Sequence, residues 1–313
     1  TGVSTPVEEY EPRIPPGGTT PFPSIARLAE HYDAFTLDQY GVLHDGKSAY
    51  PGAADCLAQL HAAGKRIVIL SNYAGRAEAQ RCRLPGIGIS TKHIDGVVTS
   101  GEITYQYLSR YREKLGSRVL WIAWEDLKQR GLSDYFSGLE GYTLVSDARE
   151  ADFILVSGVG SMFAGTPKAR KMSFEKDGNS VPFEQTFRMA IHSGKPMICA
   201  NPDHRVKRPG GWEAHLPGEL ATHFERLGGR VIYFGKPSTS SFEEARRIFD
   251  EHHAGGRICH VGDSLRHDVS GATSAGFDAA FVVETGIHAN DLPADPSIDD
   301  VYELCRKEET PMP

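Results

Sequence analysis

The sequence predicts an α/β protein that contains a parallel sheet and folds into two lobes. Short apolar runs of strand length alternate with segments of helical periodicity between residues 25 and 284, and this alternation is typical of parallel strands joined by crossover helices. The chain has 313 residues, which is long for one compact domain. Its apolar content of 40% is sufficient to form ordinary hydrophobic cores.

The N-terminal part of the chain predicts an extended arm, followed by strands and a helix. Residues 1–22 are rich in proline and glycine and show no period, so we expect no regular element there. Residues 52–64 repeat apolar side chains at helical spacing and close on Gly64, a natural helix C-cap. The predicted strands, which end in small polar residues, are 33–38, 65–72 and 95–100.

The same alternation continues through the middle and C-terminal parts of the chain. A polar interruption at 160–180 has apolar runs on both sides, so we interpret it as a surface loop rather than a linker. Further helices are predicted at 183–194, at 217–228, after residue 237 and, as a short helix, after residue 264. The remaining predicted strands are 118–124, 142–147, 151–159, 195–203, 229–237, 256–264 and 278–284.

Charge and composition exclude several classes of protein. The net charge is −7 and the basic residues are dispersed, which does not favour nucleic-acid binding. No apolar stretch approaches the ~20 residues that cross a bilayer, and the N-terminus lacks the basic-then-apolar pattern of a signal peptide. The five cysteines are odd in number and widely spaced, which favours free thiols in a reducing compartment. We therefore expect a cytoplasmic protein with no nucleic-acid and no membrane partner.

Polar residues that end apolar runs are the candidates for a site, because ligands of open parallel sheets bind outside the carboxyl ends of the strands. Taken singly, an aspartate or serine after a strand is more often a helix cap or a turn former. Their order along the chain is stronger evidence, since carboxylates, a hydroxyl and a lysine at one sheet edge could bind a divalent cation together with a phosphate. These residues are Asp38, Ser71, Asn72, Lys236, Asp263, Ser264 and Asp268.

The segments around these residues resemble the four motifs of the haloacid dehalogenase (HAD) superfamily. In chain order they are "DQYGVLHDG" from Asp38, "ILSN" ending at Asn72, "GKP" around Lys236 and "GDSLRHD" from Gly262. The segments "TSGEITYQYL", "ANPD", "LPGEL" and "GKPSTSSFEEA" are similar to those of the NagD-like branch, also called subfamily IIA. The resemblance covers residues 30–285.

The resemblance implies a two-domain hydrolase. Residues 23–101 and 233–313 would form a Rossmann-like HAD core with a parallel sheet, and residues 102–232 an inserted α/β cap of type C2. It also implies Mg²⁺ as cofactor, a small phosphorylated metabolite as substrate, and a possible homodimer formed through the cap.

The resemblance assigns the nucleophile and the metal ligands. Asp38 would attack the phosphorus atom in line and form an aspartyl-phosphate. Asp263 would complete the Mg²⁺ site with Asp38, since this hard cation prefers oxygen ligands. The third protein ligand would be the backbone carbonyl of Tyr40.

The remaining motif residues would bind and neutralise the phosphate. Ser71 would donate a hydrogen bond to a phosphoryl oxygen, assisted by the backbone N–H of Asn72. Lys236 would neutralise negative charge on the nucleophile and the phosphate. Asp268 would orient that lysine or the metal-bound waters, and Ser264 would support the same loop.

Tyr40 departs from the family pattern, because HAD phosphatases normally carry an aspartate two residues after the nucleophile. That aspartate protonates the leaving oxygen and later activates water, and such help typically increases a rate by about 10²- to 10⁴-fold. A phenol with a pKa near 10 could donate a proton but would be a poor base. His44 and Asp45, which follow the motif turn and could face the substrate phosphate, are the other candidate acids.

Three functions remain open at the level of the sequence. The first is a phosphatase that is slow or uses another acid than the usual aspartate. The second is a non-catalytic protein that binds a phosphorylated ligand on a HAD scaffold. The third is a dehalogenase-like hydrolase, in which a tyrosine at this place is usual, although the complete "GDSLRHD" segment and the NagD-like insertion argue against it.

The identity of the substrate depends mostly on the predicted cap. Residues 157–165, at strand-to-loop exits, and the segment "NPDHR" at 201–205 are candidate substrate contacts. Arg205 could meet an anion, although an exposed or structural role is the simpler interpretation. The sequence does not specify which phosphorylated metabolite is bound.

Overall fold

A computed structural model describes residues 19–21, 24–208, 210–252 and 256–313 of the chain. The predicted arm at 1–22 lies outside these residues except for 19–21, which form no helix or strand. No helix in these ranges is long and apolar enough to cross a membrane.

The first part of the chain alternates strands and helices as predicted. A single 3₁₀ turn, Thr91–His93, precedes the third strand. Thr99 caps the helix after it, since its hydroxyl accepts a hydrogen bond from the Glu102 N–H at 3.0 Å. The elements are α1 (Ile25–Leu28), β1 (Ala34–Leu37), α2 (Ala53–Ala62), β2 (Arg66–Ser71), α3 (Ala77–Ile87), β3 (Gly96–Thr99) and α4 (Ser100–Leu115).

The middle of the chain supplies most of a second sheet. Its strands are short, except for the fully buried apolar strands at 119–123 and 153–156 that form the centre. The elements are β4 (Arg118–Ala123), β5 (Thr143–Leu144), β6 (Phe153–Val156), β7 (Ser161–Met162), β8 (Arg170–Lys171), α5 (Phe174–Asp177), α6 (Val181–His192), β9 (Met197–Cys199), β10 (Arg205–Lys207), β11 (Glu213–His215), α7 (Pro217–Arg226) and β12 (Val231–Tyr233).

The C-terminal part returns to the first sheet. A single π-helical turn, Leu265–Val269, follows the first strand of this part. The elements are α8 (Thr239–Glu251), β13 (Ile258–Gly262), α9 (Ser270–Ser274), β14 (Asp278–Phe281) and α10 (Ile298–Lys307).

The first sheet has the order β14-β13-β1-β2-β3, and all its strands are parallel. Leu37 at the end of β1 lies opposite Val261 on one side and Ile69 on the other, so the carboxyl ends of three strands meet at one edge. Apolar clusters cover both faces, one centred on Phe35 and the other on Phe242. The predicted parallel α/β core is confirmed.

The second sheet has the order β12-β9-β6-β4-β7-β8, with β5 beside the start of β4. Strands β12, β9, β6, β4 and β5 are parallel, whereas β7 and β8 are antiparallel to their neighbours. It has its own apolar core, which includes Phe153, Phe187 and Phe224. A separate hairpin, β10–β11, stands outside this sheet.

The prediction of an irregular loop at 160–180 was wrong in part. Ser161–Met162 pairs with β4, Arg170–Lys171 pairs with β7, and Phe174–Asp177 is helical. The polar composition concealed these elements because only Met162, Met172 and Phe174 supply buried apolar anchors among its longer side chains.

The two sheets support the division into core and cap. We propose it with the predicted bounds, in which residues 23–101 and 233–313 form the core and residues 102–232 form the cap. The second sheet begins with β4 and ends with β12 at Tyr233. The two segments that link core and cap, at Ser100 and at Gly235, lie close together. Gly235 has a φ of +111°, and a Cβ added to it would lie 2.9 Å from both Pro202 Cδ and Ser100 Cβ. Only glycine allows this close approach without strain.

Candidate active site

The carboxyl edge of the first sheet brings the motif residues together. Asp38 follows β1, Ser71 ends β2, and Asp263 follows β13. The backbone N–H of Asp38 donates to the carbonyl of Val261 at 2.9 Å, which continues the sheet to the first residue of the site.

Lys236 is a buried cation between two carboxylates. Its Nζ lies 2.9 Å from Asp38 Oδ1 and 2.5 Å from Asp268 Oδ1, and its side chain is only 2% exposed. Burial alone would lower the pKa of the lysine, but Asp268 and Asp38 raise that pKa above its ordinary value. The ammonium group therefore stays charged next to Asp38.

A buried histidine extends this network into the core. His260 Nε2 lies 2.8 Å from Asp268 Oδ1, and its Nδ1 lies 2.8 Å from the Thr36 hydroxyl oxygen. The tautomer that satisfies all three groups donates from Nε2 to Asp268 and accepts from Thr36. Burial opposes ionisation of Asp268, but Lys236 and His260 hold its pKa well below the usual range. Asp268 is thus an ionised anchor that fixes Lys236.

Three carboxylates at this edge fit a divalent cation. Oxygen atoms of Asp38, Asp263 and Asp268 lie within 4.8 Å of one another. Burial raises the pKa of Asp38 to about 6, and burial together with Asp38 raises that of Asp263 well above its ordinary value. Because Lys236 alone opposes three carboxylates within this cluster, a further positive charge is needed for all to ionise. Hard oxygen donors are the ligands that Mg²⁺ prefers.

The backbone closes tightly around Asp263. The N–H of Ile287 donates to Asp263 Oδ2 at 2.8 Å. A Cβ added at Gly41 or Gly286 would lie 2.2 or 1.9 Å from that oxygen. The predicted role of the Tyr40 carbonyl as a metal ligand stays a prediction.

Asn72 joins three segments of the site. Its side-chain oxygen accepts from the N–H of Lys236 at 2.7 Å, and its Nδ2 donates to Asp203 Oδ1 at 2.7 Å. The adjacent Ser71 hydroxyl accepts from the N–H of Tyr73 at 3.2 Å and lines the same cavity. The phosphate-binding roles of Ser71 and Asn72 stay predictions.

Tyr40 contacts the hairpin of the cap. Its hydroxyl donates to the backbone carbonyl of Lys207 at 2.7 Å. Burial raises the pKa of the phenol, although Arg208 acts in the opposite direction. The hydroxyl proton is therefore engaged in a contact between the two lobes.

His44 and Asp45 lie on the cavity as hydrogen-bonded members of the motif turn. His44 Nδ1 accepts from the N–H of Gly46 at 3.0 Å, and burial lowers its pKa to about 4. Asp45 Oδ1 accepts from the N–H groups of Lys47 and Ser48, both at 2.8 Å, which lower the pKa of that carboxyl. At neutral pH His44 is thus uncharged and Asp45 ionised. Neither side chain is then in the protonated form that a general acid needs.

A cavity of about 800 Å³ connects the motif residues with the cap. Ser264 lines it, and the Ser264 N–H donates to Asp268 Oδ2 at 2.9 Å. None of residues 157–165 is among the lining residues, which corrects that part of the predicted substrate contacts, whereas Asn201, Asp203, His204 and Arg205 of "NPDHR" do line the cavity. The physical reason is that β7 folds back onto β4, whereas hairpin β10–β11 reaches over the site.

Two family models match the chain, one over the first core segment and the start of the proposed cap, the other after the cap. The model described as haloacid dehalogenase-like hydrolase matches residues 35–132, and the HAD-hydrolase-like model matches residues 233–304. The sugar-phosphatase AraL of Bacillus subtilis (strain 168) is 25% identical over 284 residues, covering 87% of this chain and 92% of AraL. The ribonucleotide monophosphatase NagD of Escherichia coli (strain K12) is 26% identical over 261 residues, covering 82% of this chain and 89% of NagD.

The chain belongs to the NagD-like branch of the HAD superfamily. Its fold agrees with solved structures of HAD proteins. A haloacid dehalogenase-like hydrolase of Brucella suis 1330 has a TM-score of 0.72 and 25% identity, and the match covers 88% of this chain and 95% of that one. The glycerol phosphate phosphatase of Mycobacterium tuberculosis, solved with magnesium, has a TM-score of 0.58 and 20% identity, with 82% and 69% covered.

Within this NagD-like site, sequence reasoning missed the contacts of Asp203 and most of the arginines. Asp203 lies in the "NPDHR" segment, which was predicted to contact substrate without a role for this residue, yet its half-buried carboxyl lines the cavity and burial raises its pKa. Arg205 lines the cavity but pairs with Glu213 at 3.3 Å and Glu219 at 3.5 Å, in agreement with a structural role. The five arginines that line the cavity are Arg83, Arg130, Arg205, Arg208 and Arg266.

Proposed function

We propose that the protein is a Mg²⁺-dependent phosphohydrolase that cleaves a small phosphorylated metabolite through an aspartyl-phosphate. The observation that carries this proposal is the buried triad of Asp38, Lys236 and Asp268, with Asp263 beside it. The names of AraL and NagD, a sugar phosphatase and a ribonucleotide monophosphatase, support a phosphate ester as the substrate.

Asp38 is the proposed nucleophile. One of its carboxylate oxygens attacks phosphorus, the P–O bond to the ester oxygen breaks, and the alcohol leaves; water then cleaves the acyl-phosphate and releases phosphate. Lys236 keeps the nucleophile ionised despite its burial, because the ammonium group lies 2.9 Å from Asp38 Oδ1. Asp268 and His260 hold the lysine in that position.

Asp38 and Asp263 would hold the magnesium ion, with the Tyr40 carbonyl as the predicted third protein ligand. When bound, the ion supplies positive charge that offsets the phosphate and the clustered carboxylates. Ser71 and the backbone N–H of Asn72 would then hold phosphoryl oxygens at the end of β2.

Proton transfer to the leaving oxygen is the step for which the structure offers least help. The Tyr40 hydroxyl donates to Lys207, and the turn holds His44 and Asp45 in protonation states unsuited to an acid. We therefore expect esters with good leaving groups to react much faster than alkyl phosphates, because the former depart without a proton.

The second candidate is a non-catalytic protein that binds a phosphorylated ligand. The hydrogen bond from Tyr40 to Lys207 favours this candidate. A tyrosine that holds the cap against the core serves ligand binding and need not transfer a proton. A dehalogenase-like hydrolase is disfavoured, because that chemistry needs no metal and would leave the cluster of Asp38, Asp263 and Asp268 without a purpose.

The test is hydrolysis of a set of phosphorylated metabolites and of p-nitrophenyl phosphate, with Mg²⁺ or with EDTA, beside Asp38→Asn. The asparagine keeps the shape of the side chain and removes the nucleophilic charge. We expect turnover with Mg²⁺ only, and a loss of at least ~10³-fold in the variant. Ligand binding without turnover would favour the binding protein, and release of halide from 2-haloacids without Mg²⁺ would favour the dehalogenase.

A further inference from the structure

Three guanidinium groups line the cavity, and one carboxylate pairs with two of them. Arg83 lies on α3 of the core, whereas Arg130 and Arg208 come from the cap. Glu175 pairs with Arg208 at 3.0 Å and with Arg130 at 3.5 Å. Among the described residues, no carboxylate lies within 4.0 Å of a nitrogen of Arg83, so this arginine cluster carries an excess of two positive charges.

Aromatic rings hold two of these guanidinium groups in place. Arg130 lies over the ring of Trp124, with Cζ 4.4 Å from the centroid, and Arg83 lies over the ring of Tyr73 at 5.2 Å. Stacking fixes the plane of a guanidinium group while leaving its N–H donors free to point sideways. Trp124 and Tyr73 also line the cavity.

The like charges of the cluster repel one another. Burial lowers the pKa of Arg130, and the nearby Arg208 and Arg83 lower it further, although Glu175 acts in the opposite direction. A fold that gathers such charges at a cavity wall is stabilised when an anion enters between them.

Hydrogen bonds tie the arginine cluster to the two phosphate loops. The Tyr73 hydroxyl, two residues after Ser71, donates to the backbone carbonyl of Arg130. The Tyr40 hydroxyl, two residues after Asp38, donates to the carbonyl of Lys207, the neighbour of Arg208. The backbone segments that carry Arg130 and Arg208 are therefore linked directly to the loops that would hold the transferred phosphate.

We propose that the cluster of Arg83, Arg130 and Arg208 binds a second anionic group of the substrate, so that the preferred ligand is a phosphate ester bearing a carboxylate or a second phosphate. The planar N–H pairs of arginine match both groups in a bidentate manner. The substrate class rests on the proposed function, whereas binding of the second anion can be measured without catalysis.

The experiment measures dissociation constants in the Asp38→Asn protein with Mg²⁺, using two matched pairs of ligands. 3-Phosphoglycerate and glycerol 3-phosphate differ by a carboxylate, and fructose 1,6-bisphosphate and fructose 6-phosphate differ by a phosphate. In at least one pair we expect the ligand with the second anion to bind ~10-fold or more tightly, the usual value of a charge-assisted contact. The pair that shows the difference identifies the anion.

Variants then assign the difference to the cluster. Arg83→Gln and, separately, Arg208→Gln should reduce the difference in dissociation constant within that ligand pair to about 3-fold or less. Arg110→Gln is the matched control, because Arg110 is an exposed arginine on α4 that does not line the cavity. Arg83→Lys, which keeps the charge, should retain part of the difference.

Two results would overturn the proposal: equal binding within both pairs, or a difference that persists in both glutamine variants. Failure of the proposed function would look different, since wild-type protein would then hydrolyse no ester while the binding difference and its loss in Arg83→Gln remained. Conversely, turnover of all four esters with equal kcat/KM would retain the phosphatase and reject the second anion site.

Discussion

At the residue scale, Tyr40 stands where we propose that a HAD phosphatase carries its proton donor, and it makes a contact between core and cap. Its hydroxyl reaches the Lys207 carbonyl at 2.7 Å, so the loop that carries Asp38 is tied to hairpin β10–β11. A carboxylate at this position could not donate to a carbonyl while ionised. Under the proposed function, a tyrosine in place of the usual aspartate would replace an acid by a contact between the lobes.

Restoring the carboxylate should therefore restore proton transfer. In Tyr40→Asp we expect kcat/KM for alkyl phosphates to rise by ~10-fold or more, because their leaving oxygen needs a proton. The change on p-nitrophenyl phosphate should be smaller, because its leaving group is stable as an anion. Steady-state kinetics on both esters measure the two effects.

Tyr40→Phe is the control for this substitution, since it removes the hydrogen bond to Lys207 without adding an acid. It should show no gain on alkyl phosphates. A Tyr40→Asp protein that folds and binds Mg²⁺ but gains nothing would contradict the missing-acid explanation and direct attention to Asp203, whose half-buried carboxyl lines the cavity.

At the scale of elements, the start of α4 is packed against the phosphate loop that follows β2. A Cβ on Gly101 would lie 2.1 Å from the backbone oxygen of Ala74. The Ser100 hydroxyl donates to Ala200 O at 2.6 Å and lies 3.1 Å from Tyr73 O, so the same turn also holds the cap. One helix end therefore positions both the loop and the entrance to the cap.

Gly101→Ala should separate α4 from this loop. We expect a loss of about 1–3 kcal/mol in the free energy of unfolding, the usual cost of overpacking a close contact, together with a higher KM for phosphate esters. Gly86→Ala is the matched control in α3, where an added Cβ meets nothing within 4 Å. The control should be neutral or more stable by about 0.4–1 kcal/mol. Equal effects of both changes in urea unfolding would reject the packing argument.

At the scale of the whole molecule, the cluster of buried carboxylates predicts that stability depends on a bound metal ion. Asp38, Asp263 and Asp268 repel one another at the edge of the sheet, and a cation bound only to the folded protein would relieve this repulsion. At a Mg²⁺ concentration 100 times the dissociation constant, the folded state would gain ~2.7 kcal/mol.

Thermal unfolding of wild-type and Asp263→Asn proteins checks this expectation. Wild-type protein should melt at a higher temperature with Mg²⁺ than with EDTA, and the variant should show little of this shift. In EDTA the variant should be the more stable of the two, because one buried carboxylate charge has been removed while Ile287 keeps an oxygen acceptor. An equal Mg²⁺ shift in both proteins would place the ion elsewhere.

Much of this protein could be determined from the sequence by itself. Apolar runs that end in Asp38, Ser71 and Asp263 predict parallel strands, because burial of both faces requires continuous apolar residues. The common edge follows from that topology, so the amino-acid order suffices to collect the principal motif residues. The family and the two-lobed organisation followed from the same segments.

The tertiary structure alone decided what the cap contributes. The Tyr40 contact with Lys207 spans 167 residues of chain, and Asn72 reaches Asp203 across 131. Such pairs leave no periodic pattern in the sequence, since they depend on how the two sheets face each other. Arg83, Arg130 and Arg208 likewise look like ordinary surface residues until the fold places them at the same cavity. Periodicity reports which side of an element is buried, whereas the meeting of distant side chains is decided by packing.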